Sequence, residues 1–414
     1  MVMESITTTT LGCKVNYADT QAVAGMLPAG CRVSARIVAT CCVTAEGEKQ
    51  SRKEVRRAAR EAAGGKVFVT GCAARLKPEA FAGLGANVEV VTGEPQEVAE
   101  AIAAALDLPS GGGEGEPVSQ AGARTRFFLK VQDGCSNRCS YCVVPLVRGA
   151  PRSIPAADVI SLAGDKVRNG FRELVVSGIN VGSYRDGAVR LPDLMQELAA
   201  VEGLARLRLS SIEAPDLTPR LLAVMAGEPR IARHLHVPLQ SGDDRVLVAM
   251  GRRYDRDRFS RLLARAREAI GEVNLTTDVI AGFPGEDEEA FRRTLAFIEE
   301  SGFTRVHVFP FSPRPGTSAE GLAGRNEAGV VKRRGLEARQ LSKRLERAHW
   351  RRKLGGVSEV LLESADSRGY ARGYSSDYTR FTVPGGRPGA VELVRAEGIG
   401  EDGVMGKVVT VGSQ

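Results

Sequence analysis

A chain of 414 residues, 43% hydrophobic and 26% charged, is long enough for two or three domains and has the make-up of an ordinary globular protein. Its formal charge of +7 leans only weakly toward a polyanionic partner, since many basic proteins bind no nucleic acid. The opening MVMESITTTTLGC has neither the cationic nor the apolar region of an export signal, and no stretch approaches the ~18 apolar residues of a membrane span, so a cytoplasmic location is expected.

In chain order, TTTTLGC (7–13), ARIVATC (35–41), KVFVTGC (66–72) and VEVV (88–91) read as strands, alternating with helical segments at 16–27, 47–63, 76–84 and 95–106. That alternation predicts an α/β domain at 1–108 with a flavodoxin-like parallel sheet. The Gly-, Ser- and Pro-rich run DLPSGGGEGEPVSQAG follows and predicts a linker at 109–122. Strand candidates resume at 127–133, 173–179, 206–212, 234–240, 274–283 and 305–312, with helices such as 155–169, 255–270 and 286–301 between them. Six βα units over 123–350 predict a partial barrel, with the chemistry on the loops after the strands. An open doubly wound sheet fits the same alternation. A basic helix is expected at 326–353, where ten of the positions from Lys332 to Lys353 are Lys or Arg against two Glu. Beyond it, alternating segments at 357–363, 378–384, 390–396 and 404–411 predict a small antiparallel β-barrel within 351–414. This barrel suits RNA binding, though a plain structural appendage fits as well.

All eight cysteines fall within the first 142 residues. In a reducing compartment such a set points to metal binding or catalysis rather than disulfides. Cys135, Cys139 and Cys142 form a CxxxCxxC run. Three thiolates this close can hold three irons of a 4Fe–4S cube and leave the fourth open to a ligand. A zinc site would want a fourth ligand, and the histidines at 234, 236, 307 and 349 are far along the chain. Cys13, Cys41 and Cys72 each close a predicted strand, spaced 28 and 31 residues apart. One βα repeat has about that length, so a parallel sheet would bring the three sulfurs to one carboxyl edge. A second three-cysteine cluster is the favoured reading, against three buried packing cysteines. Cys31 and Cys42 have no such placement and read as packing residues.

These pieces together resemble a known family. The CxxxCxxC run is the signature of radical S-adenosylmethionine (SAM) enzymes, and VQDGCSNRCSYCVVPLVRGAPRS resembles the methylthiotransferases among them. LGCKVN (11–16), TCCVT (40–44), GCAAR (71–75), LQSG (239–242), TTDVIAGFPGE (276–286) and HVFPFSPRPGT (307–317) extend the resemblance along nearly the whole chain. The terminal barrel resembles the RNA-binding TRAM domain. LGCKVN, LSSIE (209–213) and SPRPGT most resemble the branch that modifies N6-threonylcarbamoyladenosine beside the tRNA anticodon. Two departures stand out: Ala39-Thr40-Cys41-Cys42 replaces the usual Asn-Thr-Cys, and Arg75 replaces a Gln.

The resemblance implies an enzyme with two 4Fe–4S clusters and SAM. Cys135, Cys139 and Cys142 would be the catalytic set, and Cys13, Cys41 and Cys72 the ligands of an auxiliary cluster. It implies methylthiolation of carbon 2 of N6-threonylcarbamoyladenosine at position 37 of tRNA. This is an unactivated C–H that acid–base chemistry cannot open and radical chemistry can. Expected SAM contacts are Tyr141 in the cysteine loop, Gly178, Ser211, Glu213 and Gln240 at strand ends, and Ile280 within Val279–Gly282. Tyr141 has a plainer packing reading as well. Glu286 fits a first-turn helix position equally well, and Arg148 and Arg152 are candidates for the SAM carboxylate or a tRNA phosphate. Tyr370, Tyr374, Tyr378 and Phe381 are candidates for stacking on bases or for the barrel core. Implied partners are the tRNA anticodon stem-loop, an electron donor such as flavodoxin or ferredoxin, and a sulfur donor. Competing expectations are a methylthiotransferase for N6-isopentenyladenosine or a ribosomal-protein aspartate, a non-catalytic iron–sulfur RNA-binding protein, and a zinc-dependent RNA-binding scaffold.

Overall fold

The structure, a computed structural model, describes residues 6–28, 33–62, 64–109 and 125–409. Cys31 and, apart from Pro109, the expected linker lie outside them. The chain divides into two compact units. The first takes Met1–Ala121, Asp133–Pro151 and Ser312–Glu320; the second takes Gly122–Gln132, Arg152–Phe311 and Gly321–Gln414.

In the first unit, strands Ile6–Thr10, Ala35–Thr40, Lys66–Gly71 and Val88–Val90 form a parallel sheet in sequence order. Both faces are covered, so the central strands read as apolar runs. Ile37 and Phe68 pack with Val23, Leu27, Val98 and Ile102 on one side. Val38, Val67 and Val69 pack with Val55, Ala58 and Phe81 on the other. Helix Ala45–Glu61 starts where Thr44 accepts a hydrogen bond from the Gly47 N–H, with Glu46 and Glu48 in its first turn, both favourable at a helix N-terminus. The helix expected at 76–84 is instead two short ones, Cys72–Leu76 and Glu79–Ala82. Pro78 explains the break, because the residue before a proline is pushed out of helical geometry.

In the second unit, Arg126–Asp133, Glu173–Gly178 and Arg206–Leu209 pair in parallel, as do His234–His236, Asn274–Ala281 and Arg305–Pro310. A parallel bridge from Leu207 to Ile231 and the Ile212 N–H on the His236 carbonyl, 3.0 Å, join the two groups into an arc of six strands. The expected strand 234–240 stops at His236, two residues before Pro238, which has no N–H for a ladder. Asp243, Asp255 and Asp287 cap the helices that follow them.

The terminal barrel closes with five strands: Val357–Ala365, Tyr370–Ser375, Arg380–Pro384, Val391–Ile399 and Val404–Val408. Tyr370–Ser375 is the one not expected. Gly373 makes it read as a break, yet a Cβ there would lie 2.0 Å from the Leu361 carbonyl oxygen, so the glycine marks a close backbone approach. The barrel is bolted to the six-stranded arc. Buried Glu173 accepts from Arg208 Nε at 2.8 Å and Arg206 Nη1 at 3.3 Å. Arg206 also donates to the Tyr374 carbonyl at 2.8 Å, and Arg208 to those of Ser375 and Ser376 at 3.1 and 3.0 Å. Arg126 lies over Tyr374 and Arg208 over Tyr378, and the two tyrosines stack at 4.8 Å. Tyr374 and Tyr378 are therefore spent on this seam, and Phe381 is in the barrel core. Helix Ala328–Lys353 adds Trp350 to that core and ties Lys353 Nζ to Asp377 at 2.5 Å.

Candidate cluster-binding site

In the first unit the two cysteine sets lie in one compact body. Cys13 caps helix Lys14–Met26, Cys41 directly follows Ala35–Thr40, and Cys72 directly follows Lys66–Gly71. Parallel pairing brings all three to one edge of the sheet. Two glycines make room. Gly12 (φ +104°) would put a Cβ 3.0 Å from Cys41 Cβ and 3.1 Å from its Sγ; Gly71 (φ +88°) would put one 2.6 Å from the Thr40 nitrogen. Asn16 gathers the edge, donating to the Leu11 and Thr40 carbonyls at 2.9 and 2.8 Å and accepting from the Cys72 thiol at 3.4 Å. Burial, together with the neighbouring Cys13 and Cys72, pushes the Cys41 thiol up to about 11. A hydrogen bond from Cys42 and the Arg148 guanidinium hold Cys72 below the ordinary thiol range. Cys42 is buried in the apolar cluster with Val38 and Val55, as a packing residue, but its thiol also reaches Cys72.

Cys135, Cys139 and Cys142 are half-buried on the loop between Asp133 and helix Val144–Arg148. The loop is pinned by the Cys135 N–H on the Gly149 carbonyl and the Cys142 N–H on the Cys139 carbonyl, both 3.1 Å. Gly134 (φ +70°) permits the sharp exit from the strand, where a Cβ would lie 2.0 Å from the Ala150 carbonyl oxygen. Tyr141 is half-buried within this loop, and Arg152 is exposed. Arg148 is not a surface anion binder. Its side chain is 1% exposed and its guanidinium donates to Asn16, Asp19, Asp133 and Cys72.

The strand-end residues of the second unit form a separate group. Gly178 sits where a Cβ would come 3.0 Å from Gln132 Oε1. Ser211 is half-buried, and Glu213 is ion-paired with Arg252. Gln240 is bridged to Val279 and has a left-handed φ of +70°, an uncommon conformation for a non-glycine residue that clusters at functional sites. Among the described residues its buried Oε1 has no hydrogen-bond partner. Ile280 is buried on the adjoining strand. Glu286 lies outside the helix it was expected to begin: Asp287 caps that helix. Glu286 instead accepts from the Gly282 N–H and Arg334 Nη1, each at 3.0 Å.

Sequence reasoning missed several polar groups. Asn16 and Asp133 owe their roles to the tertiary fold. Asn180, two residues past Gly178, keeps a buried Oδ1 without a partner among the described residues. Thr276 Oγ1 lies 2.9 Å from both His234 Nε2 and His236 Nδ1, and His236 Nε2 lies 3.1 Å from Asp278 Oδ1. His307 joins His236 and Asp278, their ligand-type atoms within 4.8 Å of one another. The period-two spacing of His234/His236 and Thr276/Asp278 was the available signal, since alternate strand residues share a face.

The donors present suit iron–sulfur clusters: two groups of three thiols, the first with glycine-cleared space and N–H and S–H donors beside one sulfur. Comparison with known proteins agrees. The radical SAM superfamily matches residues 129–298, and an uncharacterized protein family, UPF0004, matches residues 5–93. The chain is 32% identical over 425 residues to the threonylcarbamoyladenosine tRNA methylthiotransferase MtaB of Thermotoga maritima, aligning 97% of this chain and 96% of the relative. It is 33% identical to the protein of that name from Bacillus subtilis, over 92% and 91% of the two chains. It is 34% identical to the tRNA-2-methylthio-N(6)-dimethylallyladenosine synthase of Sorangium cellulosum, over 97% and 89%. The fold is similar to the radical SAM methyltransferase TsrM of Kitasatospora setae, with a TM-score of 0.54 at 14% identity over 77% of this chain and 74% of that one. The chain belongs to the radical SAM methylthiotransferases, enzymes that work with SAM and 4Fe–4S clusters.

Proposed function

We propose that the protein adds a methylthio group to carbon 2 of N6-threonylcarbamoyladenosine at position 37 of tRNA. The observation that carries this reading is the presence of two three-cysteine sets in one compact unit, both at the carboxyl ends of parallel strands. Cys135, Cys139 and Cys142 hold the cluster that binds SAM. Cys13, Cys41 and Cys72 hold the auxiliary cluster, in a domain at 1–108 joined through 109–122 to a radical SAM core at 123–350. With SAM bound, such a pair of clusters supplies the radical that opens an unactivated C–H bond and a site for the sulfur. The chain's own residues hold and shield this machinery. Gln240 and Ile280, with Tyr141, Gly178, Ser211 and Glu213, form the SAM contacts, and the Gln240 strain and unpartnered carbonyl support a ligand there.

The anticodon stem-loop is held largely by phosphate contacts, a salt-sensitive mode, from exposed cations of helix Ala328–Lys353 such as Lys332, Arg339, Lys343 and Arg347, with the barrel at 351–414 alongside. A flavodoxin- or ferredoxin-type donor supplies electrons, and a separate sulfur donor rebuilds the auxiliary cluster. Anaerobic reconstitution followed by iron and sulfide counting tests the site: about eight irons should fall to about four in the Cys135/Cys139/Cys142→Ala protein. About four falling to none would remove the auxiliary cluster. The second reading, action on N6-dimethylallyladenosine, is favoured by the comparable identity to the Sorangium relative. Mass spectrometry of tRNA nucleosides after reaction separates the two by which methylthio product appears.

A further inference from the structure

Arg148 was expected to bind an anion, the SAM carboxylate or a tRNA phosphate, yet it is buried and bonded within the first unit's cysteine region. It lies six residues after Cys142, at the end of helix Val144–Arg148. Nε donates to Cys72 Sγ at 3.3 Å. Nη1 donates to Asp19 Oδ2 at 2.9 Å and to Asp133 Oδ2 at 2.8 Å. Nη2 donates to Asn16 Oδ1 at 2.8 Å. Each partner belongs to, or braces, a cysteine segment. Cys72 is a thiol of the first set. Asn16 clamps the carbonyls of Leu11 and Thr40, just ahead of Cys13 and Cys41. Asp133 ends the strand that delivers Cys135 and accepts from the Gly134 N–H at 2.7 Å.

A planar fork with fixed donor directions can serve this many acceptors; a lysine ammonium cannot reproduce its geometry. The two carboxylates of Asp19 and Asp133 more than offset the single guanidinium charge, so the Nε–H on sulfur is not needed to neutralise it. Hydrogen bonds to ligand sulfurs raise the reduction potential of an iron–sulfur cluster by drawing electron density from it.

We propose that Arg148 is a positioning residue shared by the two cysteine sets: through Nε it sets the potential of the cluster at Cys13, Cys41 and Cys72, and through Asp133 it fixes the loop carrying Cys135, Cys139 and Cys142. This rests on the ligand assignment proposed above. The test uses full-length protein, reconstituted anaerobically, in a Cys135/Cys139/Cys142→Ala background so that one cluster is seen alone. Its midpoint potential is read by EPR-monitored redox titration with Arg148 intact and in Arg148→Lys. The substitution should leave iron near four per chain and shift the potential to more negative values. Equal potentials at equal iron would overturn the proposal.

Should Arg148→Lys hold no cluster, Asp133→Asn in the otherwise native holoenzyme decides. It leaves Nε on Cys72 and should weaken the SAM-induced change in the EPR signal of the Cys135 cluster, with about eight irons retained. An unchanged SAM response would overturn the proposal. Failure of the ligand assignment has a different signature: in the same background, replacing Cys13, Cys41 and Cys72 as well would leave iron undiminished, and the Arg148 proposal would fall with it.

Discussion

Two positions carry their chemistry in a backbone angle. Gly12, at φ +104° against Cys41, has neither the conformation nor the space for a side chain. Gly12→Ala should therefore displace Cys41 and lower reconstituted iron from about eight to about four per chain, by metal analysis. Gln240 is the opposite case. Its φ of +70° costs the fold about 1 kcal/mol, and its buried carbonyl oxygen is unpartnered. Gln240→Gly should raise the melting temperature while weakening SAM binding in equilibrium dialysis; a rise without loss of SAM would mark the strain as structural. The cysteines themselves were legible because a thiol's chemistry is local and the βα repeat sets its spacing. Asn16, Arg148 and Asp133 were not, because their roles arise only when residues as far as 132 positions apart meet.

Among the elements, the charged joint at Glu173 invites the sharpest test. Glu173 is fully buried; burial alone would raise its carboxyl, but Arg208 and Arg206 hold it below the usual range. Glu173→Gln leaves two buried guanidinium groups without that counter-charge and should cost about 3–5 kcal/mol in urea unfolding at neutral pH. A carboxyl depressed in the folded state contributes stability above its unfolded value of about 4.3, and that contribution is lost as pH falls through the folded value. Native stability should accordingly drop on acidification below about pH 4.3 more steeply than that of the Gln variant. The strands here were readable from β-branched runs, but their ends were not. His234–His236 and the paired short helices after Gly71 were set by Pro238 and Pro78. Strand Tyr370–Ser375 escaped because Gly373, which reads as a break, is demanded by a neighbouring carbonyl.

For the whole molecule, the α/β plan with parallel sheets and a terminal β-barrel was open to a reader of the sequence, whereas the allocation of the barrel's aromatics was not. Tyr374 and Tyr378 were open to base stacking or to the barrel core, and are packed under Arg126 and Arg208 at the seam. The RNA contacts proposed above are therefore the exposed cations of helix Ala328–Lys353. Changing Lys343, Arg347 and Arg351 to Glu should weaken tRNA binding and flatten the log–log salt dependence of affinity by about two, read by filter binding across salt concentrations. Among the described residues no helix is long and apolar enough to cross a membrane. The seam at Glu173 also changes what the terminal barrel is in mechanical terms. Beads on a string separate when the string is cut. Here the string, Leu354–Gly356, is the lesser bond: Trp350, Asp377 and the Arg206 and Arg208 carbonyl contacts all hold across it. A chain nicked at that turn should migrate as one particle under native conditions and come apart only in denaturant, so the barrel is a cornerstone of its unit and not a detachable tool.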